Sequence, residues 1–180
     1  MSAAAVPATA SASAPAASPI PALNPAPAPT RWVTRERPKI DRIACPWLIL
    51  RFIDARAEFL YVPAAEVLAV AASAGATPYD IPGVEMSHVG ERCSFDAFID
   101  KYALVDPALQ QLARIVRGAD TSRLDLTPQS AGLYAISLGL SRLHADDHAM
   151  LGHGLVLYDA LYAWCREGQS EQHAWPPKMA

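Results

Sequence analysis

No charged side chain occurs before Arg31. The stretch ahead of it is Ala, Pro, Ser and Thr with a few apolar residues and Asn24, too broken by proline for a helix and too poor in bulky side chains for a core. Residues 1–30 are therefore expected to be a disordered tail whose removal leaves the fold intact. The same stretch lacks the basic n-region and unbroken apolar run of a secretory signal, and nowhere does the chain offer the roughly 18 apolar residues of a membrane span. A cytoplasmic location and no membrane partner are expected. Cysteine is scarce: three, widely spaced, make no disulfide framework and suit a reducing compartment. A Walker loop, a dinucleotide-binding glycine run, an HExxH pair and a nucleophile-elbow serine are all missing, so the commonest enzyme signatures are excluded.

What is present begins at Arg31. Residues 31–180 carry every charge, sum to −3 and are long enough for one domain with a real core. Arg31, Arg35, Arg37, Lys39 and Arg42 form a basic cluster that reads as a solvated lead-in segment rather than a nucleic-acid footprint. R-W-V-T is a strand candidate. Ile40, Ile43, Ala44, Trp47, Leu48 and Phe52 then repeat at helical spacing, with Pro46 tolerable near a first turn or at a kink and Trp47 expected in the core. A strand over 57–62, an alanine-rich helix over 64–74 closed by Gly75, and two extended pieces, 77–81 and 84–89, parted by Pro82-Gly83 follow. Helices are expected from Ser94 to about Tyr102, from Asp106-Pro107 to Gly118, from Pro128 to Leu140 and from Asp146 to about Arg166. The fold class is α+β: a small N-terminal sheet with crossing helices, βαβαββ-like, then an all-helical C-terminal half in one domain. That domain covers 31–168, with 169–180 a second disordered tail.

The stretch E-M-S-H-V-G-E-R-C-S-F poses the chemical question: metal site, reactive thiol or turn. Gly90 lets the chain turn sharply, which brings His88, at a strand end, and Cys93, just before the helix cap Ser94, to one end of the sheet. The helix start should ease ionisation of the Cys93 thiol. Glu91 and Arg92 read as solvated or mutually paired. Asp41 is either a helix cap or an inward carboxylate beside Cys45. Arg42 is an oxyanion candidate or a surface ion pair, and Arg117 offsets the dipole of its helix. Asp120 suits a turn, and His144 and His148 suit solvent. Asp159 falls on an inward face and needs a partner, for which Arg51, a tyrosine or a metal qualifies.

W-V-T-R-E-R-P-K-I-D-R-I-A-C-P-W-L-I-L-R-F-I-D, H-V-G-E-R-C-S-F-D-A-F and I-V-R-G-A-D together resemble the C-terminal domain of the chromate-resistance protein ChrB family, from Arg31 to about Arg166. The family motif matches at Asp41, Arg42, Trp47, Arg51, Asp54, His88, Cys93 and Asp120. It often has a small residue where Cys45 stands and a histidine where Arg117 stands. The resemblance implies a cytoplasmic chromate-resistance protein that binds a metal or an oxyanion and acts as a sensor or accessory factor. The alternative is a metal- or thiol-dependent redox enzyme that limits chromate or oxidative damage, so no reaction is assigned. His88, Cys93, Asp41 and Asp120 are the expected metal ligands, with zinc ahead of iron for such a mixed N/O/S set. Arg42 and Arg51 are the expected oxyanion ligands through guanidinium hydrogen bonds. Chromate or another small oxyanion is the expected partner, and a homodimer is left open. DNA binding is not expected without the additional N-terminal domain that longer family members carry.

Overall fold

The computed structural model describes residues 28–171, so the disordered-tail expectations for 1–27 and 172–180 fall outside the described residues. Thr30 is already part of the domain, since its N–H and hydroxyl both donate to Asp54 Oδ2, at 2.8 and 2.9 Å.

Strand β1 (Arg31–Arg35) lies at the centre of a three-stranded sheet of order β2-β1-β3, with β2 (Glu58–Val62) and β3 (Thr77–Pro78) both parallel to it. Parallel neighbours need crossovers. Helix α1 (Asp41–Leu48) makes the first and α2 (Val67–Ala74) the second, and the alternation of β1 shows that they cover opposite faces. Trp32 joins the large core with α1 and the later helices, whereas Val33 joins a smaller one with Val67 and Ala71 of α2.

Pro46 sits inside α1 and has no N–H to give. The Arg42 carbonyl that would have received it lies 3.5 Å from the Tyr79 hydroxyl. Beyond Leu48 the ladder widens into a π-helical turn, Ile49–Ile53, where Asp54 N–H donates to Ile49 O at 2.8 Å. Trp47 is fully buried, as expected.

The second extended piece, 84–89, is not a strand. Only single bridges form there, Tyr79 with Met86 and Val89 with Arg92. Pro78 ends the ladder of β3, and Asp80 at φ 52° turns the chain off the sheet before Pro82-Gly83.

The helical half follows: α3 (Ser94–Lys101), α4 (Pro107–Asp120), α5 (Ser130–Leu143) and α6 (Asp147–Ala163), the last continuing as a π-helical turn, Trp164–Gly168. Asp106 and Asp146 cap α4 and α6 by accepting from Leu109 N–H and Ala149 N–H. Gly118 does not end α4, which runs on to Asp120. It is instead where α5 presses closest: a Cβ added there would lie 2.9 Å from both Arg123 O and Ser130 Cβ. Among the described residues no helix is long and apolar enough to cross a membrane.

Candidate functional site

From β1 the chain crosses to β2 on one edge and then to β3 on the other, so the crevice beyond the carboxyl ends of β1 and β3 is a topological switch point. Ligands of open parallel sheets collect at such points. Asp41 opens α1, Asp80 follows β3, His88 lies in the next loop, Cys93 begins α3 and Asp120 ends α4, and all meet in this crevice.

Asp41 does not cap its own helix. The cap position is Ile40 at φ 45°, while the Asp41 side chain points inward, 2% exposed. Its Oδ2 accepts from Ser94 N–H at 3.3 Å, which makes it a cap for α3 across the crevice. His88 stands over the group. Its Nε2 is 3.3 Å from Asp41 Oδ2, 3.3 Å from Asp80 Oδ1 and 3.2 Å from Asp120 Oδ2. The turn expected at Gly90 is present, with φ 60° and paired hydrogen bonds between Val89 and Arg92, but His88 sits in a loop and not at a strand end.

Cys93, not Ser94, occupies the N-cap position of α3, and Asp96 reaches back to accept its N–H at 3.1 Å. The Ser94 hydroxyl is turned to Asp80 Oδ1 instead, at 2.8 Å. The expectation of an easily ionised thiol fails: Cys93 is fully buried, and burial followed by the charges of Asp41, Asp96 and Asp120 pushes its thiol up. Cys45, one helical turn after Asp41, is pushed up by burial and then by the charge of Asp41. Arg117 does more than offset a dipole. It clasps the buried Asp96 with two bonds, at 2.9 and 2.5 Å.

Sequence reasoning missed Asp80. It is 4% exposed and held by two guanidiniums, Arg35 at 2.7 Å and Arg42 at 3.2 Å. Its place just after a strand of a parallel sheet was the available signal, obscured because 77–81 was read as one strand. Four cations of the basic lead-in have partners: Arg31 pairs with Glu58, Arg35 and Arg42 with Asp80, and Arg37 with carbonyls at and just beyond the end of α5.

The two oxyanion candidates are not brought together. Arg42 is engaged by Asp80 and by the Arg35 and Glu36 carbonyls. Arg51 forms a paired bridge to Asp159 at 2.9 and 2.6 Å, and Trp47 Nε1 donates to the same carboxylate at 2.7 Å. Asp159 thus has the arginine partner considered for it, although its side chain is 43% exposed and not in the core. Asp54 binds Thr30 and Arg56 N–H. Glu91 pairs with Arg123 and Arg92 with Asp100, not with each other. His144 stacks on His153, and His148 packs edge-on to Tyr61.

The cluster carries more acid than its surroundings balance. Burial, then the Asp41 charge, pushes the Asp120 carboxyl up to about 8. The bond to Asp41 pushes His88 up to about 9, and burial raises Asp80. At neutral pH the metal-free cluster therefore keeps protons where its donor atoms converge. Asp41, Asp80 and His88 offer one set of ligand atoms within 4.8 Å of one another, and Asp41, Cys93 and Asp120 another. Ligands about 2.0–2.1 Å from a tetrahedral metal lie about 3.3–3.4 Å apart, close to the spacing of His88 from the three carboxylates. The donor set fits a divalent cation.

The family model described as "ChrB, C-terminal domain" matches residues 32–165. Protein ChrB of Cupriavidus metallidurans (strain ATCC 43123 / DSM 2839 / NBRC 102507 / CH34) is 29% identical over 133 residues, which are 73% of this chain and 40% of that protein. The chain thus matches less than half the length of this curated relative. No solved structure matches. The family match runs from β1 to the turn beyond α6 and takes in every residue of the cluster, and the chain belongs to the ChrB family through its C-terminal domain.

Proposed function

We propose that the protein serves chromate resistance in the cytoplasm, as a sensor or accessory factor whose crevice binds a divalent metal through Asp41, Asp80, His88, Cys93 and Asp120. The observation that carries this is the convergence of three carboxylate oxygens on His88 Nε2 at 3.2–3.3 Å. Imidazole, carboxylate and thiol donors suit zinc ahead of iron, and Asp80 adds an oxygen that keeps iron in contention. Such an ion would supply a fixed positive charge that displaces the protons held on Asp120 and His88. The rest is the work of the chain. Arg35 and Arg42 fix the orientation of Asp80, Ser94 holds its other oxygen, and Arg117 locks Asp96 behind Cys93.

A cation suits the crevice better than a dianion does, because the carboxylates repel the latter while Arg42 and Arg51 are engaged by Asp80 and Asp159. A thiol-dependent redox enzyme is the weaker reading, since Cys45 and Cys93 are both fully buried. The three free thiols support a reducing compartment.

Metal analysis of protein purified without a tag tests the reading. Wild type is expected to hold stoichiometric metal, and His88→Ala, Cys93→Ser and Asp120→Asn to lose it with the helical circular-dichroism signal retained. A wild type that takes up neither zinc nor iron, or variants that keep the ion, would remove the metal from the account. Growth under chromate of cells carrying wild type or His88→Ala tests the link to resistance.

A further inference from the structure

The loop from β1 to α1 is held in a conformation that the cluster alone does not require. Arg37 and Ile40 sit at φ 54° and 45°. A residue with a side chain keeps such a conformation only where the surroundings enforce it. Here the enforcing groups belong to α5 and α6. The Arg37 guanidinium donates to the carbonyls of Ser141, His144 and Ala145, and its backbone N–H donates to Asp147 Oδ2 at 3.0 Å. Ile40 N–H donates to Ser137 Oγ at 2.9 Å, and Ile40 O accepts from the Tyr158 hydroxyl at 2.8 Å.

Between these two residues stands Lys39, half-buried. Its ammonium, like the Arg142 guanidinium, has no hydrogen bond or ion pair among the described residues. Arg37, Lys39 and Arg142 line one cavity of about 320 Å³ with Ser141 and Leu138. Every charged group in that lining is a cation, whereas the cavities lined by Lys101 or Arg166 also contain acids. The end of α5 would ordinarily repel an anion. Arg37 already satisfies its carbonyls, and Asp147, outside the lining, accepts from the Arg37 backbone N–H and lies 3.9 Å from the Arg37 guanidinium, so that acid is matched by Arg37 itself. Two unpaired cations and a hydroxyl remain.

We infer that this cavity is an anion site that takes a small sulfate- or phosphate-like oxyanion group between Lys39 and Arg142, with Ser141 as a neutral donor. Guanidinium and ammonium together match tetrahedral oxygens, and a concave pocket on a chain of net charge −3 suits a compact ligand better than a nucleic-acid backbone. Lys39 lies two residues before Asp41, so an anion here bears on the segment that delivers Asp41 to the crevice. The site does not depend on a bound metal.

Equilibrium dialysis of the full chain against labelled sodium sulfate, in chloride buffer at constant ionic strength with a chelator present, tests it. Saturable binding is expected. Lys39→Gln and Arg142→Gln should each weaken it by about tenfold or more. Lys39→Arg should retain it, and Arg51→Gln should leave it unchanged. Both cations lack partners, so the variants keep their fold, which near-UV circular dichroism checks. Displacement of sulfate by phenyl phosphate assigns the site to phosphate groups on larger molecules, and saturable binding without displacement assigns it to free inorganic ions. Sulfate uptake that does not saturate, or Gln variants that bind as wild type does, overturns the inference.

Discussion

Asp120 and His88 hold protons for opposite formal reasons and with the same consequence for stability. Burial makes the Asp120 carboxylate costly and carries its carboxyl up to about 8, while the bond to Asp41 favours the His88 imidazolium and carries it up to about 9. Both folded-state values lie above the unfolded ones, so the folded protein binds more protons. The stability contributed by Asp120 is complete below about pH 4 and gone above its folded value, and that of His88 declines from about pH 6.5 upward. In the presence of a chelator the thermal midpoint should therefore fall between about pH 6 and pH 9, and His88→Ala should flatten the fall. A midpoint that rises across that window would contradict the charge balance described for the crevice. With metal the sign reverses, since an ion displaces those protons and binds more tightly as pH rises. Cys93 shows how a local rule loses. A thiol at a helix start reads as acidic from its neighbours in sequence, but Asp41, Asp96 and Asp120 reach it from α1, α3 and α4.

At the scale of elements, α1 couples the sheet to the helical half through Trp47. Its ring is packed among Phe52, Phe95, Tyr158 and Tyr162, and its N–H is bound by Asp159. Trp47→Ala should cost about 3–5 kcal/mol, and Trp47→Phe, which keeps most of the packing and loses the hydrogen bond, should cost less. Chemical denaturation reads both, and an unchanged midpoint for the alanine variant would place Trp47 outside the core. Gly118 plays the matching part between α4 and α5. A methyl group there meets Arg123 O and Ser130, so Gly118→Ala should destabilise by about 1–3 kcal/mol and, by shifting the end of α4, weaken metal binding at Asp120. The helices were legible because Asp106-Pro107 and Asp146 are local signals that tertiary packing left in force. The 84–89 strand was misread because Pro82-Gly83 marks a turn equally well in a hairpin and in a loop leaving a parallel edge strand. Asp80 was missed because its role depends on the order β2-β1-β3, which no local pattern reveals.

For the whole molecule, the cluster ties together parts of the chain as far apart as Asp41 and Asp120, 79 residues along the sequence. An unfolded chain does not gather these groups, so a metal bound only by the native state, as proposed, would raise stability by mass action, about 2.7 kcal/mol at a hundredfold excess over Kd. The thermal midpoint should climb with free zinc for wild type and stay level for Asp120→Asn, and equal climbs would point to zinc binding elsewhere. The members of the cluster are unequally covered. Asp41, Asp80, Asp120 and Cys93 are sunk in the crevice, while the His88 side chain is 41% exposed. In the proposed metal site this imidazole, on its Gly90 turn, would be the ligand that solvent reaches first, so changes in that one loop would alter how long an ion stays without altering the buried donors that hold it.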